Sequence, residues 1–184
     1  MTNLEFYVYN DDLWVIDENG NNRIVSEDEV DLIDDILSQI RECYPDAYKA
    51  LCHCYQNSSK NVPYYQYLMV RRFCKCNFGS LDNTKMDVDA MSNFNFERVA
   101  CPLRGECPHE GRICNPKFST KLSSAEERVA RLMFEGYSQE AISDKLYISP
   151  NTTKTHIRRI YSKLNVHDIG EFVRYATSHN MFQD

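Results

Sequence analysis

Three serines, Ser123, Ser138 and Ser149, each stand just ahead of a stretch with apolar residues every three or four positions. A serine hydroxyl placed there accepts a hydrogen bond from an N–H of the first helical turn, so each serine marks a helix start. Their spacing leaves little freedom, because one helix must end and one turn must be made between Ser138 and Ser149. Glu126 follows Ser123 at the capping-box position. Gly136 supplies the stop for the first helix, whose apolar face is Val129, Leu132 and Met133. Pro150 suits the first position of the third helix, where its missing N–H has no helical partner to lose. That helix runs to about Leu164, with Asn165 as a left-handed stop, and a fourth spans about Asp168 to Ser178.

A short helix, a tight turn and a longer basic helix are the parts of a helix-turn-helix. The longer one, PNTTKTHIRRIYSKL, has an inward stripe of Ile157, Ile160 and Leu164 and no acidic residue. Ser149, Asn151, Thr152, Lys154, Thr155, His156, Arg158, Arg159 and Lys163 are its candidate contacts to double-stranded DNA. The cations suit phosphates, and the amide and guanidinium groups suit base edges.

The stretch LSSAEERVARLMFEGYSQEAISDKLYISPNTTKTHIRRIYSKLNV resembles the DNA-binding domain of the LuxR/GerE (NarL-type) transcription regulators. The resemblance rests on Leu122, Glu126, Val129, Leu132, Gly136, the run EAISDKL, Ile148-Ser149, Thr152, Lys154-Thr155-His156, Ile160-Tyr161 and Lys163-Leu164. It covers about residues 119–178. It implies a four-helix domain whose third helix enters the major groove. It also implies a fourth helix that supports a homodimer on DNA; Ile169, Phe172, Val173 and Ala176 stand there at helical spacing, as a dimer face or, for at least two of them, as core packing. Two positions depart from the family pattern. Thr153 stands where the family usually has Val, which should weaken packing slightly, and Ala125-Glu126-Glu127-Arg128 should only rearrange surface charge.

The remainder reads as a separate α+β domain over residues 1–116, leaving the all-α four-helix domain as 117–184. LEFYVYN and LWVID are rich in aromatic and β-branched residues and read as strands. Asn10-Asp11-Asp12 and Glu18-Asn19-Gly20-Asn21 supply the turns. Ser26, with Glu29 as capping-box partner, should start a helix carrying Val30, Ile33, Ile36, Leu37 and Ile40 on one face. Pro45 ends it, and a second helix follows from Asp46 to Tyr55. YYQYLMVRRFCKC (64–76) reads as another strand, and residues 77–97 as irregular.

Charge is unevenly spread. Residues 1–46 carry two basic and 13 acidic side chains, residues 47–116 nine and six, and residues 117–184 ten and eight, which together give the net −6. An acidic total would argue against nucleic acid, but the clustering of cations on one helix matters more. The run from Glu27 to Asp35 reads as a solvated helix face rather than a catalytic or Mg²⁺ site. No apolar run is long enough to span a membrane, and MTNLEFYVYNDD lacks the pattern of a signal peptide, so a cytoplasmic location is expected.

In a reducing compartment the eight cysteines are expected as thiols or metal ligands rather than structural disulfides. CPLRGECPHEGRIC (101–114) sets three of them among turn-forming residues. Cys76, Cys101, Cys107 and Cys114, with Cys74 as the alternate to Cys76, would make a four-sulfur zinc site. On a strand, Cys74 and Cys76 would point the same way. An iron–sulfur cluster uses the same ligands, and His109 could replace one thiol. Residues 77–118 show few apolar anchors, so a metal could stand in for a missing core. Cys43, Cys52 and Cys54 read as packing residues.

Neither a phosphate-cradling glycine loop, nor a nucleophile elbow, nor H-E-x-x-H occurs, and no enzyme is expected. A DNA-binding transcription regulator is the first reading. Two others use the same residues differently: an interaction module that is sigma-region-4-like or an anti-regulator, acting on RNA polymerase or a partner, and a metal- or redox-sensing switch.

Overall fold

The computed structural model describes residues 3–79, 81, 85–90, 92–179 and 181–182. The chain divides into two compact units, Met1–Ser119 and Thr120–Asp184. The division falls after 119 rather than the expected 116 because the intervening residues belong to the first unit. The Phe118 ring meets Tyr44 at 5.7 Å, and the Ser119 N–H donates to the Cys43 carbonyl at 2.7 Å.

The first unit opens with an antiparallel meander, β1 (Leu4–Tyr9), β2 (Asp12–Asp17) and β3 (Asn22–Ile24). The β1–β2 turn places Asn10 and Asp11 at φ 50° and 70°. Two left-handed residues in succession match the twist of a two-residue hairpin, which Asn and Asp tolerate best among non-glycine residues. Phe6 lies opposite Val15, and both are buried with Leu13, while Tyr7 stacks on Trp14 on the other face. Three helices follow: α1 (Val30–Cys43), α2 (Pro45–Tyr55) and α3 (Val62–Asn77). The acidic Asp31, Asp34 and Asp35 of α1 are exposed while Ile33, Ile36, Leu37 and Ile40 are buried, so the apolar and charged faces separate as the spacing requires.

Two local expectations fail. The Ser26–Glu29 capping box does not form. Ser26 makes a turn in which its hydroxyl accepts from the Asp28 N–H at 3.4 Å, and α1 begins only at Val30. The Glu29 carboxylate is taken by Arg23 Nε at 2.8 Å instead. The stretch expected as a strand over 64–76 lies within helix α3. Tyr, Val and Phe favour strands, but the buried set Met69, Val70, Phe73, Cys74 and Asn77 has helical spacing, and Pro63 sits in the first turn. Packing decided the outcome over propensity.

The irregular segment after α3 is better anchored than its sequence suggests. Phe78, Val88, Phe94 and Ile113 are fully or almost fully buried. Phe94 lies 5.4 Å from Phe73, 5.8 Å from Phe78 and 5.9 Å from Tyr44, ring centre to ring centre. Phe6 and Phe96 extend the cluster at 5.9 Å and 5.9 Å from Phe78. One aromatic core therefore joins the sheet, α3 and the loop, and the expected shortage of anchors is confined to residues 98–112, where no apolar side chain is buried.

The second unit contains α4 (Ser124–Phe134), α5 (Gln139–Leu146), α6 (Pro150–Leu164) and α7 (Ile169–Ser178). Its core gathers Val129, Ala130, Met133, Ile142, Ile160, Leu164, Phe172 and Ala176. Gly136, at φ 86°, closes α4: its N–H bonds the Met133 carbonyl and that of Tyr137 the Leu132 carbonyl. This pairing needs a left-handed residue, which glycine adopts without strain.

Phe94→Ala should cost about 3–5 kcal/mol, because the ring has close neighbours on every side. Urea unfolding of the parent and the variant would measure it.

Candidate nucleic-acid interface

The three serine caps form as their spacing requires. Ser138 Oγ accepts from the Ala141 N–H at 3.3 Å, and Ser149 Oγ from the Thr152 N–H at 3.1 Å. At Ser123 the box is complete: its hydroxyl accepts from the Glu126 N–H at 3.4 Å, and the Glu126 carboxylate accepts from the Ser123 N–H at 2.7 Å. Between α5 and α6 the chain turns through Tyr147 at φ 54°, with its side chain 96% exposed. A left-handed tyrosine costs on the order of 1 kcal/mol, offset here by the bond from the Ile148 N–H to the Ser143 carbonyl at 3.1 Å.

Three polar contacts then fix α6 against its neighbours. Gln139 Nε2, at the start of α5, donates to the Pro150 carbonyl at 3.2 Å. Thr153 is fully buried, and its hydroxyl lies 2.8 Å from that of Ser143, which donates in turn to the Gln139 carbonyl at 2.8 Å. Each hydroxyl has one proton and can accept as well. The chain Thr153 to Ser143 to Gln139 therefore satisfies both. The residue that departs from the family's Val is thus a hydrogen-bonded bridge between two helices. Ten positions separate these hydroxyls, and nothing in either helix alone announces the pair.

The third contact ties α6 to α4. Lys163 Nζ lies 2.6 Å from the Glu126 carboxylate, which is almost fully buried. The Lys163 ammonium and the Ser123 N–H hold the Glu126 carboxyl down at about 2, from an ordinary 4.5. Glu126 is therefore a structural anchor and not merely rearranged surface charge. Lys163 enters this pair, so the charge it brings to α6 is compensated.

What remains facing outward is a polar, cationic strip. Asn151, Thr152, Lys154, Thr155, Arg158 and Arg159 are exposed, as is Ser149 at the cap, while His156 is half-buried. Asn151, Thr152, Thr155, His156 and Arg159 line a shallow depression of about 270 Å³. Thr155 donates its hydroxyl to the Asn151 carbonyl at 2.9 Å, leaving its lone pairs outward. Among the described residues, Lys154, Arg158 and Arg159 enter no ion pair. Of the four apolar residues expected on the last helix as a dimer face, Phe172 and Ala176 are core, Val173 is partly buried and Ile169 is 50% exposed.

The cysteines of the first unit are all thiols. Cys74 is fully buried and Cys76 half-buried. On a helix, residues two apart point about 160° away from each other, which corrects the expectation that they share a direction. Cys107 and Cys114 are half-buried and Cys101 is exposed. Among the described residues, the group of three or more potential metal-ligand atoms that lie within 4.8 Å of one another is Glu5, Asp87 and Glu97. No three of the expected thiols do so. The carboxylates hold backbone: Asp87 accepts from the Phe6 N–H at 2.6 Å and Glu97 from the Gly79 N–H at 3.2 Å. Their distance along the chain hid them from sequence reasoning.

Residues 120–176 match the family model of the bacterial regulatory proteins of the luxR family. The chain is also similar to the response regulator protein VraR of Staphylococcus aureus, Staphylococcus saprophyticus and Staphylococcus epidermidis, at 39% identity over 62 residues in each case. The match takes in 34% of this chain and 30% of each relative, so the chain spans about a third of the length of the curated relatives it matches. No helix among the described residues is long and apolar enough to cross a membrane.

Two measurements probe this frame. Glu126→Gln keeps the capping-box acceptor but loses the charge, and should destabilise the C-terminal unit by about 1–2 kcal/mol at neutral pH. The Glu126 carboxyl titrates lower when folded, so its contribution is complete above about pH 4.5 and lost as pH falls towards 2. The stability difference between parent and variant should accordingly shrink across that window in acid melts. Thr153→Val should cost less than about 1 kcal/mol in urea unfolding, because Ser143 keeps its own acceptor, the Gln139 carbonyl.

Proposed function

With a luxR-family domain at residues 120–176 as the premise, we propose that this protein is a DNA-binding transcription regulator and that α6 is the helix that enters the major groove. The observation that carries the reading is the division of labour around α6. Thr153, Ile160 and Leu164 lock it into the unit, while Lys154, Arg158 and Arg159 project from the opposite side with no acidic residue on the helix. An α-helix fits the major groove of B-DNA, where Asn and Arg side chains can pair two-pronged with adenine and guanine edges. Asn151 and Arg159, bordering the shallow depression, suit base edges. Lys154, Arg158, Ser149, Thr152, Thr155 and His156 suit phosphates and the groove wall. Lys163 serves the site by holding α6 on Glu126.

A second copy on DNA would pair through α7. With Phe172 and Ala176 committed to the core, Ile169 and Val173 are the residues left for that contact. Two-fold symmetry then sets half-sites about 10–10.5 base pairs apart, centre to centre.

Duplexes selected from a random library, read by fluorescence anisotropy at several salt concentrations, test the proposal. Lys154→Ala and Arg158→Ala should each weaken binding and flatten the slope of log K against log salt by about 0.9 for each phosphate contact removed. Parent-like binding by both variants would overturn the groove assignment and favour the protein-interaction reading.

A further inference from the structure

Resting on the reading of α6 as the groove helix, we propose that Tyr147 is an anchoring contact whose phenol O–H donates to a backbone phosphate of the DNA at the edge of that groove. Tyr147 closes α5 at φ 54° and ψ 44°. Asn165 closes α6 at the same φ and ψ, and Gly136 follows α4 at φ 86°. Three helices of the unit thus end in a left-handed residue, and two of them use the residue types that adopt it most readily. Tyrosine is the exception, because a bulky side chain at positive φ is strained. The turn itself does not need the ring. The bond that closes it, from the Ile148 N–H to the Ser143 carbonyl, is backbone to backbone and forms equally with asparagine or glycine at 147.

Nor does the core need it. At 96% exposure the Tyr147 side chain buries almost nothing. The other tyrosines of the unit are engaged. Tyr137 lies under Lys145 Nζ at 4.4 Å, Tyr175 stacks on His179 at 4.1 Å, and Tyr161 packs against the core. Among the described residues of this unit, Tyr147 enters neither a ring contact nor a cation–π contact. A strained aromatic residue is thus kept where the fold gains nothing from its side chain, and an outlier of this kind points to function.

Its place suits a phosphate. Tyr147 stands two residues before Ser149, the α6 cap, and four before Asn151 at the border of the shallow depression. In a helix-turn-helix the first helix crosses the DNA backbone and the N-terminal part of the second meets base edges, so the turn between them lies at the groove's edge. The backbone at 147 is held on both sides. Ile148 packs against the core, and Gln139 Nε2 ties the start of α5 to the Pro150 carbonyl. A phenol mounted this rigidly loses little freedom on binding. Tyrosine is a neutral donor to phosphate, so its contact differs in kind from those of Lys154 and Arg158: it releases no counterion.

Tyr147→Phe keeps the ring and the strained backbone and removes only the donor. On a duplex selected from the random library it should bind about tenfold more weakly, as for one hydrogen bond to a charged group. The slope of log K against log salt should stay at the parent value. Tyr147→Asn should bind at least as weakly and yet melt at a higher temperature than the parent, because the turn is relieved of strain. A methylphosphonate placed at each backbone position in turn identifies the partner: at one phosphate it should weaken the parent and leave Tyr147→Phe unaffected. Parent-like affinity of Tyr147→Phe would overturn the proposal, as would a scan in which the two losses add at every position. If Tyr147→Phe binds like the parent but loses its effect on transcription in a reconstituted reaction, the residue belongs to a protein contact and the proposal falls. Lys154→Ala and Arg158→Ala, run alongside, separate these failures from failure of the groove reading, because only the latter leaves their affinities and salt slopes at the parent values.

Discussion

The Glu126 carboxylate, almost fully buried, does two jobs in the C-terminal unit. It closes the N-terminal cap of α4 on Ser123, and it holds Lys163 in the last turn of α6. A buried carboxylate is costly unless hydrogen bonds and a counter-charge satisfy it. Here both are supplied from the two elements that must be kept together. The far end of α6 is held by different chemistry, the hydroxyl chain from Thr153 through Ser143 to the Gln139 carbonyl. A helix fixed at both ends can present Lys154, Arg158 and Arg159 in a constant arrangement. Recognition of a groove needs that rigidity, because side chains on a rocking helix would not meet base edges in register.

The first unit has a different organisation. Its stability centre is a packed set of rings, Phe6, Tyr44, Phe73, Phe78, Phe94 and Phe96, to which the sheet, the α1–α2 junction, α3 and the loop each contribute. Around that core, carboxylates act as backbone acceptors. Asp17 gathers the N–H groups of Asn19 and Asn21, and Asp11 receives Arg71 and Lys75 from α3. The hairpin is thereby tied to the helix by charge at its tip and by apolar packing along its face. Residues 98–112 lie beyond both devices, and they carry Cys101 and Cys107.

Legibility followed the range of the interactions. Helix starts at Ser123, Ser138 and Ser149 were readable because a cap involves groups three residues apart. The hairpin at Asn10-Asp11 was readable because its turn needs left-handed residues. The capping box at Ser26 failed because Arg23, on the neighbouring strand, claimed the Glu29 carboxylate. Residues 64–76 were misread as a strand because Tyr, Val and Phe speak for strands locally. The helical spacing of Met69, Val70, Phe73, Cys74 and Asn77 emerges only when one asks which of them a core would bury.

The sequence by itself determined the helix-turn-helix, its caps and the cationic side of α6. These depend on hydrogen bonds and periodicities within a few residues, which the order of side chains dictates. Tertiary structure alone decided that Lys163 turns inward to Glu126 and that Thr153 is a satisfied bridge rather than a packing flaw. It also decided which two residues of the last helix, Phe172 and Ala176, belong to the core, and that Cys74 and Cys76 face apart. Each of these depends on which distant group arrives beside a side chain. A buried polar or charged group takes its role from the partner that compensates its desolvation, and that partner is chosen by the fold.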